Sequence, residues 1–282
     1  MVSSTPPVPR PIWAFWRRPP PVPVIRLAGL IGSLPVRGAG LTLAGLERAI
    51  ERAFAVRRAP AVALSINSPG GSAVQSALIA GRIRALADRH RRPVLAFVED
   101  VAASGGYWLA TAADEILVDP ASIVGSIGVI AAGFGFDRAI ERLGIERRVH
   151  TAGTRKSFLD PFRPERSEDL ALLAELQGDI HERFKEQVRE RRAGRLRAPE
   201  EELFDGRVWT GARAVAIGLA DGLGELHTTL EERFGPGVRI RLVNPQRPRL
   251  LARLGLGAFA AEAMAEGLAL LEERALRARL GL

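Results

Sequence analysis

The first half of the chain alternates between short apolar runs and longer segments whose apolar residues recur at helical spacing. Apolar runs of this length predict buried strands, and spacing such as that of Leu46, Ile50 and Phe54 predicts amphipathic helices. Because the two kinds of segment alternate, we predict an α/β fold with a largely parallel sheet and functional sites at the carboxyl ends of its strands. The predicted strands are 22–27, 61–67, 93–98 and 115–118, and the predicted helices are 43–57, a segment that follows Ser72 and a short one that follows Ser104.

The second half of the chain contains two long amphipathic segments. Residues 167–192 predict a helix that Ser167 caps, and about the last 30 residues predict another, with Leu254 and Phe259 on its apolar face. The apolar stripe of the first of these helices consists of Leu173, Leu176, Ile180, Phe184 and Val188, and that of the second continues through Met264, Leu268 and Leu271. We therefore divide the chain into a proline-rich tail (1–22), a main domain (23–240) and a helical C-terminal extension (241–282).

Composition narrows the classes of function. The 282 residues include no cysteine and only four scattered histidines, so we expect neither a metal site nor a cofactor. The net charge is +8, from 40 basic and 32 acidic residues. No basic run is interleaved with aromatic residues, so we expect no binding to nucleic acid.

The sequence has no segment that predicts a membrane span. The longest uncharged run, 121–136, is rich in glycine and serine and is shorter than the ~20 apolar residues that a span needs. The N-terminus is proline-rich and lacks the apolar core of a signal peptide. Trp13 and Trp16 beside Arg17 could still touch a lipid surface. We expect a bacterial protein that is cytoplasmic or peripheral on the inner membrane.

Lysine is unusually scarce, because only Lys156 and Lys185 stand among the 40 basic residues. Arginine stays protonated in proteins and cannot act as a base, whereas a desolvated lysine amine can. Lys185 falls on the solvated face of the predicted helix 167–192. Lys156 lies in A-G-T-R-K-S-F-L-D-P-F, among apolar and charged neighbours, and is the candidate general base. A salt bridge to Asp160 would keep it protonated and inert.

Two glycine-flanked motifs follow predicted strands. Ser104, in D-V-A-A-S-G-G-Y, has small neighbours that would let a substrate carbonyl approach, and a helix N-terminus that points N–H groups at a developing oxyanion. Gly70 and Gly71, in N-S-P-G-G-S, could offer N–H groups in the same way. Taken separately, each motif is equally typical of a cap or a turn. Together with a neutral lysine, a serine suffices for a hydrolase without histidine.

In order and spacing, four sequence blocks resemble the signal peptide peptidase A (protease IV) family of Ser-Lys serine peptidases. The blocks are I-N-S-P-G-G-S, E-D-V-A-A-S-G-G-Y-W-L-A, I-V-G-S-I-G-V-I and G-T-R-K-S-F-L-D-P-F, and a fifth, F-D-G-R-V-W-T-G, is similar to the family's C-terminal segment. The resemblance implies a ClpP/crotonase-like fold of stacked ββα units. It implies Ser104 as nucleophile and Lys156 as base. It also implies Gly71 and Gly105 as oxyanion donors. The substrate-binding residues that it implies are Gly70, Ser126 and Ile127.

The same resemblance implies peptide substrates and a ring- or dome-shaped homo-oligomer whose dyad can be completed across subunits. Family members cleave remnant signal peptides and usually carry an N-terminal membrane helix. This chain departs from that pattern, so general peptide degradation is an equal expectation. Two alternatives stay open. One is a crotonase-type acyl-CoA hydratase or isomerase, for which Glu99 is the nearest carboxylate, and the other is a non-catalytic, membrane-associated scaffold of the same fold.

Overall fold

A largely parallel sheet runs through the part of the chain that the computed structural model describes, residues 20–32 and 40–243. Its strands are β1 (Pro21–Ala28), β2 (Val62–Ser68), β3 (Val94–Ala103), β4 (Glu115–Val118), β5 (Ile123–Gly125), β6 (Val208–Thr210), β7 (Gly222–Leu223) and β8 (Arg239–Leu242). The order is β6-β5-β3-β2-β1-β8, and β4 pairs with both β3 and β7. Only the β5–β6 pair is antiparallel among these strands. The predicted α/β class is confirmed.

Helices connect the strands and cover both faces of the sheet. They are α1 (Leu43–Phe54), α2 (Ala73–His90), α3 (Gly105–Ala110), α4 (Asp137–Arg142), α5 (Ser167–Arg191), α6 (Glu200–Leu203), α7 (Gly211–Ile217) and α8 (Leu226–Phe234). The four predicted strands and the helices between them are present. Helix α1 ends three residues earlier than predicted, whereas β3 runs five residues further, to Ala103. That extension carries β3 directly to Ser104.

Packing on both faces of the sheet explains why the central strands are mostly apolar. Every residue of β2 is buried, because helices α1, α2 and α3 pack on one face of the sheet and α8 packs on the other. Buried apolar side chains form one cluster on each face of the sheet. Ile50 and Ile79 belong to the cluster under α1 and α2, whereas Leu230 and Phe97 belong to the cluster under α8. Each fully buried side chain of this size contributes about 1.5–3 kcal/mol. The sheet is therefore a rigid base for the loops at its carboxyl edge.

Helix α5 differs from its prediction at the N-terminal end. The prediction of Ser167 as N-cap is wrong: the cap is Arg166, which makes no capping bond and instead pairs its guanidinium with Asp169 at 2.7 Å. In the predicted apolar stripe only Phe184 and Val188 are buried. Phe184 stacks on Trp108, with 4.8 Å between ring centroids. The residues of the stripe toward the N-terminus are not buried by any of the described residues.

Several sequence predictions fall outside the described residues. These are the aromatic and basic residues at 13–18, most of the N-terminal tail and the helix of the C-terminal extension. Within residues 20–32 and 40–243, the structure contains no helix that is both long and apolar enough to cross a bilayer.

Candidate active site

Ser104 occupies a strained turn between β3 and α3. It is the N-cap residue of α3 and has φ 51° and ψ −121°, a conformation that costs a non-glycine residue of the order of 1–3 kcal/mol. Two backbone hydrogen bonds hold it there: its N–H donates to the Gly125 carbonyl at 2.8 Å, and its carbonyl accepts from the Trp108 N–H at 3.0 Å. A serine on a sharp strand-to-helix turn presents its hydroxyl above the sheet, as at the nucleophile elbow of α/β-hydrolases.

The loop that follows β2 packs against this turn and requires glycine at two positions. Gly70 has φ 112°, and a Cβ on it would lie 2.8 Å from the Cβ of Ser104. Gly71 has φ 141°, and a Cβ on it would lie 2.1 Å from the Ile31 carbonyl oxygen. Both positions combine a left-handed backbone with a contact too close for any side chain. A side chain on Gly70 would therefore clash with Ser104, and a side chain on Gly71 would clash with the backbone of Ile31.

Two backbone N–H groups near Ser104 are unused within the described part of the chain. They belong to Gly71 and to Gly105, the first residue of α3, where a helix leaves its N–H groups without an internal acceptor. The Gly71 nitrogen lies 3.4 Å from where a Cβ on Gly105 would stand, so the two residues are neighbours. Gly70 instead uses both of its backbone polar groups: its N–H donates to Ser68 Oγ and its carbonyl accepts from Ile31.

The predicted groove residues, Ser126 and Ile127, stand at the end of β5. Ser126 is half-buried with φ 51°, and its N–H donates to the Arg207 carbonyl at 2.7 Å. Ile127 is fully buried in the core, and its carbonyl oxygen lies 3.0 Å from His181 Nε2. Because the Gly125 carbonyl accepts the Ser104 N–H, Ser126 lies one residue from the group that anchors Ser104. Among the described residues, the Ile127 side chain does not line an open groove.

Lys156 lies in an exposed turn between β5 and α5. Its N–H donates to the Gly153 carbonyl at 3.2 Å, but its amine has no hydrogen bond or ion pair with any described residue, Ser104 included. Lys185 differs, because its Nζ pairs with Glu182 at 2.8 Å on the surface of α5. The hydrogen bond from Lys185, together with one from Arg189, lowers the pKa of Glu182 to about 2. The two lysines therefore differ: Lys185 is in an ion pair, whereas the Lys156 amine has no partner among the described residues.

Asp160, four residues after Lys156, forms its ion pair with an arginine and not with that lysine. Its carboxylate pairs with the Arg147 guanidinium and also accepts the Phe162 N–H at 3.1 Å. The side chain of Asp160 is only 5% exposed, and the hydrogen bond from Arg147 holds the pKa of its carboxyl below the ordinary value. The Arg147 guanidinium in turn sits 4.7 Å above the Phe162 ring. The salt bridge that would have silenced Lys156 is therefore not formed.

The segment that carries Lys156, residues 126–166, exposes much apolar surface. Its residues Phe134 and Leu143 are 80% and 72% exposed, and the rings of Phe134, Phe136 and Phe162 follow one another at centroid distances of 6.2 and 5.6 Å. Further apolar side chains on this segment and on α5 are also exposed, namely Ile130, Ile145, Leu170, Leu176 and Ile180. Exposed apolar side chains grouped in this way are typical of surfaces that pack against another element or another chain.

The carboxylate that the crotonase alternative needs is engaged elsewhere. Glu99 accepts from Ser65 Oγ at 2.5 Å and pairs with Arg26 at 3.2 Å. Ser65 follows Ala63 on the strand face that packs toward α8, so these contacts hold Glu99 on that face. Glu99 consequently makes no contact with the Ser104 turn in the described structure.

Sequence reasoning did not single out Ser68, whose hydroxyl holds the glycine loop. It donates to the Gly29 carbonyl at 2.7 Å and accepts from the Gly70 N–H at 3.3 Å. The signal that could have found it is the neighbouring Pro69: proline has no N–H to give to the adjacent strand, so a hydroxyl next to it is a natural replacement donor. No comparable signal in the sequence points to Arg147.

Known proteins that are similar to this chain include peptidases. Residues 87–233 match the model of peptidase family S49. The chain is 33% identical over 213 residues to the chloroplastic serine protease SPPA of Arabidopsis thaliana, covering 73% of this chain and 31% of that protein. It is 31% identical over 244 residues to slr0021 of Synechocystis sp., a protein provisionally named a protease, covering 83% of this chain and 86% of that protein.

A further relative carries a different name. The chain is 49% identical over 273 residues to a protein of Brucella abortus named Na(+)/H(+) antiporter NhaA, covering 93% of this chain. The chain spans only 37% of the length of that relative. The antiporter name therefore belongs to a longer protein, most of which lies outside the part that matches this chain.

Proposed function

Since the chain belongs to peptidase family S49, the family of signal peptide peptidase A, we propose that it is a serine endopeptidase with Ser104 as nucleophile and Lys156 as general base. The observation that carries this proposal is the Ser104 turn itself. A strained serine stands at a helix N-terminus beside two unused N–H groups, those of Gly71 and Gly105. Such an arrangement suits attack on a carbonyl followed by stabilisation of an oxyanion.

The reaction proceeds through an acyl-enzyme. Neutral Lys156 Nζ takes the Ser104 hydroxyl proton as Oγ bonds to the carbonyl carbon, and the Gly71 and Gly105 N–H groups bind the resulting oxyanion. Collapse breaks the peptide C–N bond, and the lysine ammonium gives its proton to the departing amine. Water then attacks the ester, Lys156 accepts a water proton, and Ser104 recovers its hydroxyl proton as the acid product leaves. Each oxyanion donor is worth roughly 3 kcal/mol of transition-state stabilisation.

The lysine comes from a neighbouring copy of the chain. Lys156 has no partner among the described residues of its own chain, and the segment that carries it exposes Phe134 and Leu143. Burying that apolar surface against a second copy would desolvate the amine, which favours its neutral form. A contact in which one copy gives a serine and the next gives a lysine is heterologous, and heterologous contacts that close generate rings.

The substrate is an extended peptide with small or apolar side chains, whether remnant signal peptides or other peptides. Val74 and Leu78 support this preference, because they lie one turn apart at the start of α2, directly after the glycine loop. They are 66% and 46% exposed, so they are accessible to the apolar side chain of a peptide that binds beside the glycine loop. We place this activity in the cytoplasm of a bacterium or on the surface of its inner membrane.

The test uses the full chain and a fluorophosphonate that labels activated serines. Wild-type protein is expected to be labelled at Ser104 and to cleave apolar peptides, whereas Ser104→Ala is expected to do neither. Lys156→Arg keeps the charge but removes the base, so it should lose cleavage, while the matched control Lys185→Arg should retain it. Full activity in Lys156→Arg would overturn the base. An assembled wild-type protein that is neither labelled nor active would favour the scaffold alternative.

A further inference from the structure

Ser68, the last residue of β2, replaces a hydrogen bond that the strand ladder would otherwise lose. The Gly29 N–H donates to the Asn67 carbonyl at 3.0 Å, so parallel pairing requires the N–H of residue 69 to return to the Gly29 carbonyl. Residue 69 is proline and has no N–H. The Ser68 hydroxyl donates to that carbonyl instead, at 2.7 Å. The side chain is fully buried, so no solvent competes for this bond.

The Ser68 hydroxyl lies at the point where the pairing register between segments 29–31 and 68–72 changes. The Ile31 N–H donates to the Gly70 carbonyl at 2.8 Å, and the Ser72 N–H donates to the Ile31 carbonyl at 2.7 Å, so Ile31 pairs with Gly71. One residue separates Gly29 from Ile31, but two separate Ser68 from Gly71. The loop thus contains one extra residue, which is a bulge. The Gly70 N–H that this bulge turns inward is bound by Ser68 Oγ at 3.3 Å.

The register decides where the Gly71 N–H points. In a parallel pair, the residue opposite Ile31 directs its own N–H and carbonyl away from the paired strand, while its two neighbours make the bonds. Gly71 is that residue, so its N–H faces the opposite side, where Gly105 lies. Ser68 also abuts the helix that begins there, since a Cβ on Gly106 would lie 2.3 Å from the Ser68 carbonyl oxygen.

We propose that Ser68 is a positioning residue that fixes the bulge at Pro69 and Gly70, so that the Gly71 N–H points at the substrate oxyanion. This inference rests on the proposed function, because it concerns the oxyanion donors of that reaction. Without the hydroxyl, the half-buried Gly29 carbonyl and the buried Gly70 N–H both lose their hydrogen-bond partner. The loop then relaxes to satisfy them, and the relaxation turns Gly71 away from its position. Ser68 touches no reacting atom and acts only through the loop.

The test compares Ser68→Ala with Ser122→Ala in the full chain. Ser122 is a matched control: it is 2% exposed, and its hydroxyl also joins two backbone groups, accepting the Asp119 N–H at 3.0 Å and donating to the Glu99 carbonyl at 2.6 Å. Fluorophosphonate titration counts the active sites, so that rates are expressed per folded site. For Ser68→Ala we expect kcat to fall about 10- to 100-fold with KM within about twofold, a fraction of what losing a whole oxyanion donor costs.

A peptide aldehyde provides the second readout. Its hemiacetal oxygen takes the oxyanion position, so Ser68→Ala should weaken aldehyde binding by about the same factor as it lowers kcat. Ser68→Thr keeps the hydroxyl and should recover part of the rate, whereas Ser122→Ala should lose stability alone. An unchanged kcat per titrated site in Ser68→Ala would overturn the positioning role. A wild-type protein that fails to label at Ser104 would instead overturn the proposed function, so the two failures are distinct.

Discussion

Gly70 lies directly against Ser104: a methyl group on Gly70 would stand 2.8 Å from the Cβ of Ser104. The same methyl would be 2.9 Å from the Gly105 nitrogen and 3.0 Å from the Ala103 carbonyl oxygen. Protein interiors are close-packed, so three such contacts cannot be absorbed by a small shift of one side chain. The contact joins the two glycine-flanked motifs, which the sequence alone places only at the ends of two predicted strands.

Replacing Gly70 by alanine should therefore disable the site. The added methyl displaces either the loop or the Ser104 turn, and φ at this position is 112°, which disfavours alanine independently. We expect cleavage and fluorophosphonate labelling to fall by about 100-fold or more, since a 1 Å misplacement alone can cost about that much. The control is Gly81→Ala in α2, where a Cβ meets nothing within 4 Å. Alanine there should raise stability by about 0.5–1 kcal/mol without changing activity. Wild-type labelling of Gly70→Ala would contradict the packing argument.

A dyad shared between subunits should show complementation. Ser104→Ala and Lys156→Ala are each inactive alone, but in a mixed oligomer some serines of the second variant meet lysines of the first. For random 1:1 assembly of such a heterologous ring, about one quarter of the sites are complete. We expect activity to recover toward that level after the two variants are unfolded together and refolded, with each variant refolded alone as the control. No recovery despite normal assembly would place both groups of the dyad in one protomer.

The apolar surface of segment 126–166 should be needed for assembly. Phe134 is 80% exposed, so Phe134→Ser removes little that stabilises the single chain, and we expect its melting temperature to change by no more than a few degrees. The oligomer should nevertheless dissociate, and cleavage should fall with it, as measured by light scattering and by peptide hydrolysis. Leu223→Ser is the control, because Leu223 is 53% exposed on β7, outside this segment. A fully assembled Phe134→Ser protein would show that the ring contacts lie elsewhere.

The positions of the motifs could be predicted from local sequence patterns. Apolar runs set the strands, and glycine-flanked serine and proline marked their ends, so Ser104 was correctly expected at the N-terminus of a short helix. The difference between the two lysines also followed, because Lys185 lies on a helix with an acidic residue three positions earlier, to which it is paired. Both inferences use only neighbours along the chain.

Contacts between distant segments could not be predicted in this way. Asp160 is paired with Arg147, 13 residues earlier, across a segment with no periodic pattern. The sequence locates the apolar stripe of α5 but not the surface that covers it: Leu176 is 46% exposed in the described part of the chain.

Arg192, the C-cap residue of α5, and Asp221, which directly precedes β7, form a largely buried ion pair. The Arg192 guanidinium is almost wholly buried, with its nitrogens 2.7 Å from the Asp221 carboxylate and 2.8 Å from the Gly218 carbonyl. Burial acts to raise the pKa of Asp221, but the hydrogen bonds from Arg192 and from the Ile116 N–H outweigh it, so the pKa lies below the ordinary value. The folded state therefore holds the proton of this carboxyl less tightly than the unfolded chain does.

The sign of the pH dependence follows from that difference. Above the unfolded pKa of about 3.9 the pair contributes its full stability, and the contribution is lost as the pH falls toward the lower folded value. Arg192→Met leaves Asp221 without its main partner and should cost about 3–5 kcal/mol at neutral pH. Urea unfolding should show this deficit shrinking below about pH 4, because a protonated Asp221 no longer needs a cation. Arg183→Met, which breaks only an exposed pair with Glu186, should cost less than about 1 kcal/mol. A deficit in Arg192→Met that stays constant from pH 7 to about pH 3 would mean that packing of the arginine, not its charge, stabilises this region.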